Sequence, residues 1–183
     1  AVLSAIPGRV GYRAVREAGV IVNLRGTHGS GKSTIVRGVM AAYAACERRY
    51  VPDRRRPIGY TCTRPDGRPL WVVGHYEMPC GGCDTIPTVD MAYEQIRAGA
   101  DSGHDVIFEG ILVGHDVRRC VELRTLFGHD VTVILLTTSL EACLAAARDR
   151  RTGRNDDRCL KADNFQKRAY AKSLPARMET AGI

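Results

Sequence analysis

Val20-Ile21-Val22-Asn23-Leu24 leads through Arg25 into Gly26-Thr27-His28-Gly29-Ser30-Gly31-Lys32-Ser33-Thr34, and this stretch decides the fold. The opening residues are apolar and largely β-branched between Gly19 and Gly26, which predicts a buried strand over 20–24. The next nine fit G-x-x-x-x-G-K-[ST]. Ile35, Val39 and Ala42 then recur at helical spacing beside Val36 and Met40, predicting a helix over 32–47. Strand, glycine-rich loop and helix in that order form the context in which this pattern holds phosphate. The glycines let successive backbone N–H groups turn inward, and the helix N-terminus adds the positive end of its dipole. Lys32 is placed to reach β- and γ-oxygens, and the Ser33 hydroxyl to ligate Mg2+. Gly26, Thr27, His28, Gly29, Ser30, Gly31, Lys32, Ser33 and Thr34 are therefore the expected nucleotide contacts, with ATP and Mg2+ the expected ligands. A glycine-rich turn with a chance lysine is the other reading, and the flanking elements disfavour it.

Outward from this loop the chain alternates. Residues 1–19, with glycines, one proline and weak helical spacing, are expected to be an N-terminal arm. Residues 48–84 carry five prolines and the basic run Arg48 to Arg56, so no long helix is expected there. Ile58 to Thr63 and Leu70 to Val73, separated by the turn signal Pro65-Asp66-Gly67, predict a β-hairpin. A helix over 89–98, a strand over 106–108 ending at Glu109-Gly110, a helix over 117–127 and a strand over 131–136 follow. Thr138 and Glu141 have capping-box spacing for a helix running to Arg150, and 159–172 returns to helical pattern. That order predicts an α/β fold of the P-loop NTPase type, nucleoside- or nucleotide-kinase-like. Its mainly parallel sheet would be flanked by helices, with the hairpin as an insertion over 48–84 and an Arg-rich lid over 148–158.

At 183 residues the chain has room for one domain. Its 44% hydrophobic and 26% charged residues exclude disordered and fibrous classes. No apolar run approaches the ~18 residues of a membrane span, and no signal-peptide pattern opens the chain. A cytoplasmic protein without membrane contact is expected, and its seven cysteines are expected to be free thiols. The net charge of +7 favours anionic partners. Of the 27 basic residues 23 are Arg, a bias that genome composition alone could produce.

Such a loop alone does not make a kinase. The chain is too short for the extra domains of helicases and lacks the N-K-x-D base-reading motif of GTPases. Small phosphotransferases fit this size and need mobile arginines over the transferred phosphate. Arg148, Arg150, Arg151, Arg154 and Arg158 cluster as such a lid, with Arg148 and Arg151 the candidate catalytic pair; a solvated helix end complementing the dipole is the alternative. Glu109 ends a predicted strand where ligands gather in parallel sheets, so it could organise Mg2+ through water, contact substrate, or merely cap a helix. Asp84 follows Cys80-Gly81-Gly82-Cys83, whose glycines permit close backbone approach; it could accept a hydroxyl proton or serve as a turn aspartate. Cys80 and Cys83 have metal-ligand spacing, with His75 and Cys62 the conceivable partners, but no second well-spaced pair exists, and a loop thiol pair is favoured. The run Arg48 to Arg56 with Tyr50 suits phosphate contact and base stacking, or a solvated surface.

Three motifs carry a resemblance: Asn23 to Thr34; His75-Tyr76 ahead of Cys80-Gly81-Gly82-Cys83-Asp84-Thr85-Ile86; and Val106-Ile107-Phe108-Glu109-Gly110. Over about residues 20–160 the chain resembles small bacteriophage P-loop kinases, a group that includes the 5-hydroxymethyluridine DNA kinases of thymidine-hypermodifying phages. The resemblance implies ATP-dependent phosphorylation of the 5-hydroxymethyl group of a uracil base within DNA, with Asp84 or Glu109 as the acceptor-site carboxylate. A deoxynucleoside monophosphate kinase, or another small-molecule kinase, is the alternative acceptor class. An ATP-binding regulatory protein without an acceptor is the alternative of another kind.

Overall fold

The computed structural model describes residues 19–149 apart from 80, 112, 114, 115 and 128–130. Its centre is β1 (Ile21–Arg25), parallel on one side to β5 (Asp105–Glu109) and on the other to β6 (Val131–Leu135). β4 (Leu70–Val73) continues the parallel set beside β5, and β3 (Gly59–Thr63) and β2 (Ala45–Arg49) add two antiparallel strands. The order across the sheet is β2-β3-β4-β5-β1-β6. The described helices are α1 (Lys32–Ala41), α2 (Val89–Asp101), α3 (Val117–Phe127) and α4 (Leu140–Asp149).

Alternation along the strands divides the core into two layers. Ile21, Val73, Val106 and Phe108 pack with Tyr93 and Ile96 of α2 and Leu123 of α3, whereas Leu24, Val72 and Ile107 pack with Val36 of α1. Phe108 is fully buried and meets Tyr93 edge-on at 6.3 Å between centroids. With burial on both faces, β1 and β5 read as the near-continuous apolar runs expected of parallel strands. Four parallel strands send their carboxyl ends to one edge of the sheet. That edge therefore receives the loops after β1, β4, β5 and β6.

Several expectations change. The helix expected over 32–47 stops at Ala41, because Ala45–Arg49 pairs with Gly59–Thr63 as an edge strand; sheet pairing overrides a local helical pattern. The hairpin is present, but it is no appendage, since β4 is a strand of the parallel core. Cys46 and Cys62, expected as free thiols, face each other across the β2–β3 register and form a disulfide. Cys62 is thus unavailable as a metal ligand. Cys83, Cys120 and Cys143 are buried free thiols, and Cys80 lies outside the described residues. The cap of α4 is Ser139 rather than Thr138: Ser139 Oγ accepts from the Ala142 N–H at 3.2 Å, while Thr138 Oγ1 donates to the Ser30 carbonyl at 2.9 Å. The expected arm and the helix over 159–172 fall outside the described residues.

Candidate active site

The loop joining β1 to α1 is shaped by contacts with α4. Gly29 has φ +83°, and a Cβ there would lie 2.3 Å from the Cys143 carbonyl oxygen, so only glycine lets the loop sit against that helix. Thr27 Oγ1 lies 3.2 Å from Cys143 Sγ. The first turn of any helix leaves backbone N–H groups without intrahelical acceptors, and in α1 that turn opens onto a cavity of about 500 Å³. It is lined by His28 to Thr34, by Glu109 and Ile111 after β5, and by Pro79, Gly81, Asp84 and Thr85.

Lys32 is turned inward. Its Nζ bends back over the loop and donates to the carbonyls of Gly26 and Thr27, each at 3.0 Å, leaving the residue 7% exposed. An ammonium has three donors and no acceptor capacity, so a partly buried one takes the carbonyls within its reach. Ser33 Oγ donates to Glu109 Oε1 at 2.7 Å. Glu109 is buried, and desolvation raises its carboxyl above the ordinary 4.5, while the charge of Lys32 and the Ser33 hydrogen bond pull it partly back.

Asp84 is brought to this cavity by its backbone. Gly82 has φ +86°, and a Cβ there would sit 2.5 Å from Glu109 Oε1, so the loop approaches β5 closely only as glycine. A 3-10 turn over Cys83–Thr85 then lifts the Asp84 carboxylate onto the Ile111 N–H, 2.9 Å from each oxygen. Both readings of Asp84 meet here, for it satisfies a backbone donor after β5 and also lines the cavity. Arg37, four residues beyond Ser33 on α1, had no motif to announce it. Its Nε donates to the Tyr76 carbonyl at 2.9 Å and its Nη2 to Met78, strapping the loop after β4 to the helix that begins at the glycine-rich loop. The i, i+4 spacing from Ser33 was the one available signal.

Arg148 stands exposed in the last turn of α4, where the described cavity-lining residues are Ala146 and Asp149. Arg150, Arg151, Arg154 and Arg158 lie outside the described residues. The described residues hold no group of three or more His, Cys, Asp or Glu arranged for a metal ion. None of their helices is long and apolar enough to cross a membrane.

Over 139 residues the chain is 45% identical to the 5-hmdU DNA kinase of Pseudomonas phage PaMx11, an alignment covering 75% of this chain and 72% of that protein. The chain belongs to the 5-hmdU DNA kinase family. A shorter match, 39% identical over 69 residues, links it to the 5-hmdU DNA kinase of Delftia phage PhiW-14 and covers 36% of this chain and 22% of that protein. No protein-family model matches the chain. No solved structure matches it either. As a member of a 5-hmdU DNA kinase family it is an enzyme that transfers phosphate to a hydroxyl. The glycine-rich loop and Asp84 line one cavity.

Proposed function

We propose that this chain phosphorylates the hydroxyl of 5-hydroxymethyluridine within DNA, using ATP and Mg2+, on a P-loop NTPase framework. The observation that carries the reading is the convergence of Lys32, Ser33, Glu109 and Asp84 on one cavity, in a chain whose relatives are DNA kinases. The Ser33 hydroxyl and the Glu109 carboxylate, 2.7 Å apart at the loop mouth, are hard oxygen donors of the kind Mg2+ selects, so the residues present fit that ion. When bound, Mg2+ neutralises charge on the β- and γ-phosphates.

The chain's own groups account for the rest. Backbone N–H groups of the glycine-rich loop and the N-terminus of α1 cradle the phosphates, and Lys32 exchanges its two loop carbonyls for β- and γ-oxygens. Asp84, fixed by the Ile111 N–H, accepts the proton of the acceptor hydroxymethyl group as its oxygen bonds to the γ-phosphorus and the bond to the ADP oxygen breaks. Arg148, in the last turn of α4, and Arg151 belong to the lid that brings positive charge to the transferred group.

Labelled ATP offered with hydroxymethyluridine-containing DNA, ordinary DNA and free deoxynucleoside monophosphates tests this reading. Transfer to the modified DNA alone is expected. Lys32→Ala should lower that transfer by ~10² or more, and Asp84→Asn should lower it while leaving ATP affinity within about twofold. Labelled mononucleotide with unlabelled DNA would replace the acceptor; ATP turnover without any labelled acceptor would replace the enzyme class.

A further inference from the structure

A basic run begins at the end of β2 and continues beyond it. It holds Arg48, Arg49, Arg54, Arg55 and Arg56 against one acid, Asp53, and it is moored to the cavity at both ends. Arg48 pairs with Glu77, two residues before Pro79 of the cavity wall. Arg54 Nη2 donates to the Thr85 carbonyl at 2.8 Å, beside Asp84, and its Nε donates to the Arg56 carbonyl at 2.8 Å. Burial and the charge of Arg56 both lower the Arg54 guanidinium; burial lowers the imidazole of His75, Glu77 opposes that, and Arg56 and Arg54 add to it. Arg55 and Arg56 are exposed, with no ion-pair partner among the described residues. Tyr50 is 55% exposed.

We propose that residues 48–56 form the track that holds the DNA strand while its modified base enters the cavity, Arg55 and Arg56 taking phosphates and Tyr50 stacking on a neighbouring base. This rests on the DNA-kinase reading and deepens it. A cavity of about 500 Å³ is the size of a site for one small ligand, so the polymer must be held outside it. The charges on β2 have a competing use, because an exposed edge strand is guarded from pairing with another chain by such residues. That use covers Arg48 and Arg49. Arg55 and Arg56 lie beyond the strand, where an edge needs no guard.

The test compares the full-length chain, Arg55→Ala/Arg56→Ala and Tyr50→Ala, each checked for an unchanged melting temperature. Binding of a fluorescent unmodified oligonucleotide is followed by anisotropy across a salt series, beside steady-state kinetics on hydroxymethyluridine-containing DNA and on a modified dinucleotide. Each phosphate contact adds close to one unit to the salt slope. The arginine variant should bind DNA about tenfold more weakly at low salt and lose up to about two units of slope. Tyr50→Ala should weaken binding with its slope unchanged, since stacking releases no counterions. In both variants KM for DNA rises, while kcat, KM for ATP and dinucleotide turnover stay near wild type. An arginine variant with unaltered DNA affinity and slope overturns the track, even if the enzyme phosphorylates modified DNA normally. Wild-type binding that is lost in the variant, without transfer to modified DNA, keeps the track and sinks the acceptor assignment instead.

Discussion

Glu109 is an acid placed where ionisation is opposed by burial and favoured by Lys32 and Ser33, with burial the largest effect. Its carboxyl is therefore raised above 4.5 in the fold, and the unfolded chain releases that proton first. The sign follows from linkage: this group stabilises the fold most fully below about 4.5, and the contribution is lost as pH rises through the raised folded value. Glu109→Gln removes the dependence. The melting temperature of Glu109→Gln relative to wild type should therefore climb as pH increases from about 4 toward 7, measured without nucleotide. A constant difference would mean that Glu109 ionises as it does in water. Activity should move the other way, because the ionised carboxylate is the form that accepts the Ser33 hydrogen bond and suits Mg2+.

At the scale of elements, α1 does two jobs from one face. Its first turn carries Lys32 and Ser33, and Arg37 one turn later reaches the carbonyls of Tyr76 and Met78. The loop so held closes on itself through the Gly82 N–H and the His75 carbonyl at 3.0 Å, just before the turn that presents Asp84. Arg37 is a positioning residue. Arg37→Met should raise KM for DNA several-fold and lower kcat, with KM for ATP changed by less than about twofold. Arg37→Lys, which keeps the charge but not the fork of donors, should recover only part of the loss. Equal effects on both substrates would instead mark Arg37 as a nucleotide ligand. Thr88 caps α2 by accepting from the Met91 N–H at 3.1 Å. Thr88→Ala should lower stability by about 1 kcal/mol in denaturant titration without altering kcat.

Across the whole molecule, stability and function are drawn from the same strands. β1 and β5 lie inside the sheet with layers on both faces, and their carboxyl ends hold the glycine-rich loop and Glu109. β2 is an edge with all but Cys46 of its residues exposed. Native-state hydrogen exchange should rank β1 and β5 slowest and β2 fastest, because opening energy follows burial. Phe108→Ala, which empties a site between α2 and the sheet, should cost about 3–5 kcal/mol. It should reduce activity in proportion to the folded fraction, whereas Lys32→Ala, which also removes two hydrogen bonds to loop carbonyls, should reduce activity far more than the folded fraction.

The local pattern from Val20 to Thr34 carried the glycine-rich loop, its strand and its helix start, because a phosphate loop is built from contiguous residues and its chemistry is written in order. Five of the six strands were legible for a similar reason, each being an apolar run between breakers. β2 was not, since Ala45–Arg49 is nearly all exposed and becomes a strand only by pairing with Gly59–Thr63. The Cys46–Cys62 bond has the same origin, for cross-strand register places side chains opposite one another without leaving a trace in either segment. Asp84 and Glu109 could be suspected separately as carboxylates after glycines and after a strand. That they line one cavity with Ser33, and that Arg37 holds the loop after β4, depends on β4, β5 and β1 lying side by side and parallel. Sequence distance carries no information about that adjacency; the order of strands in the sheet creates it.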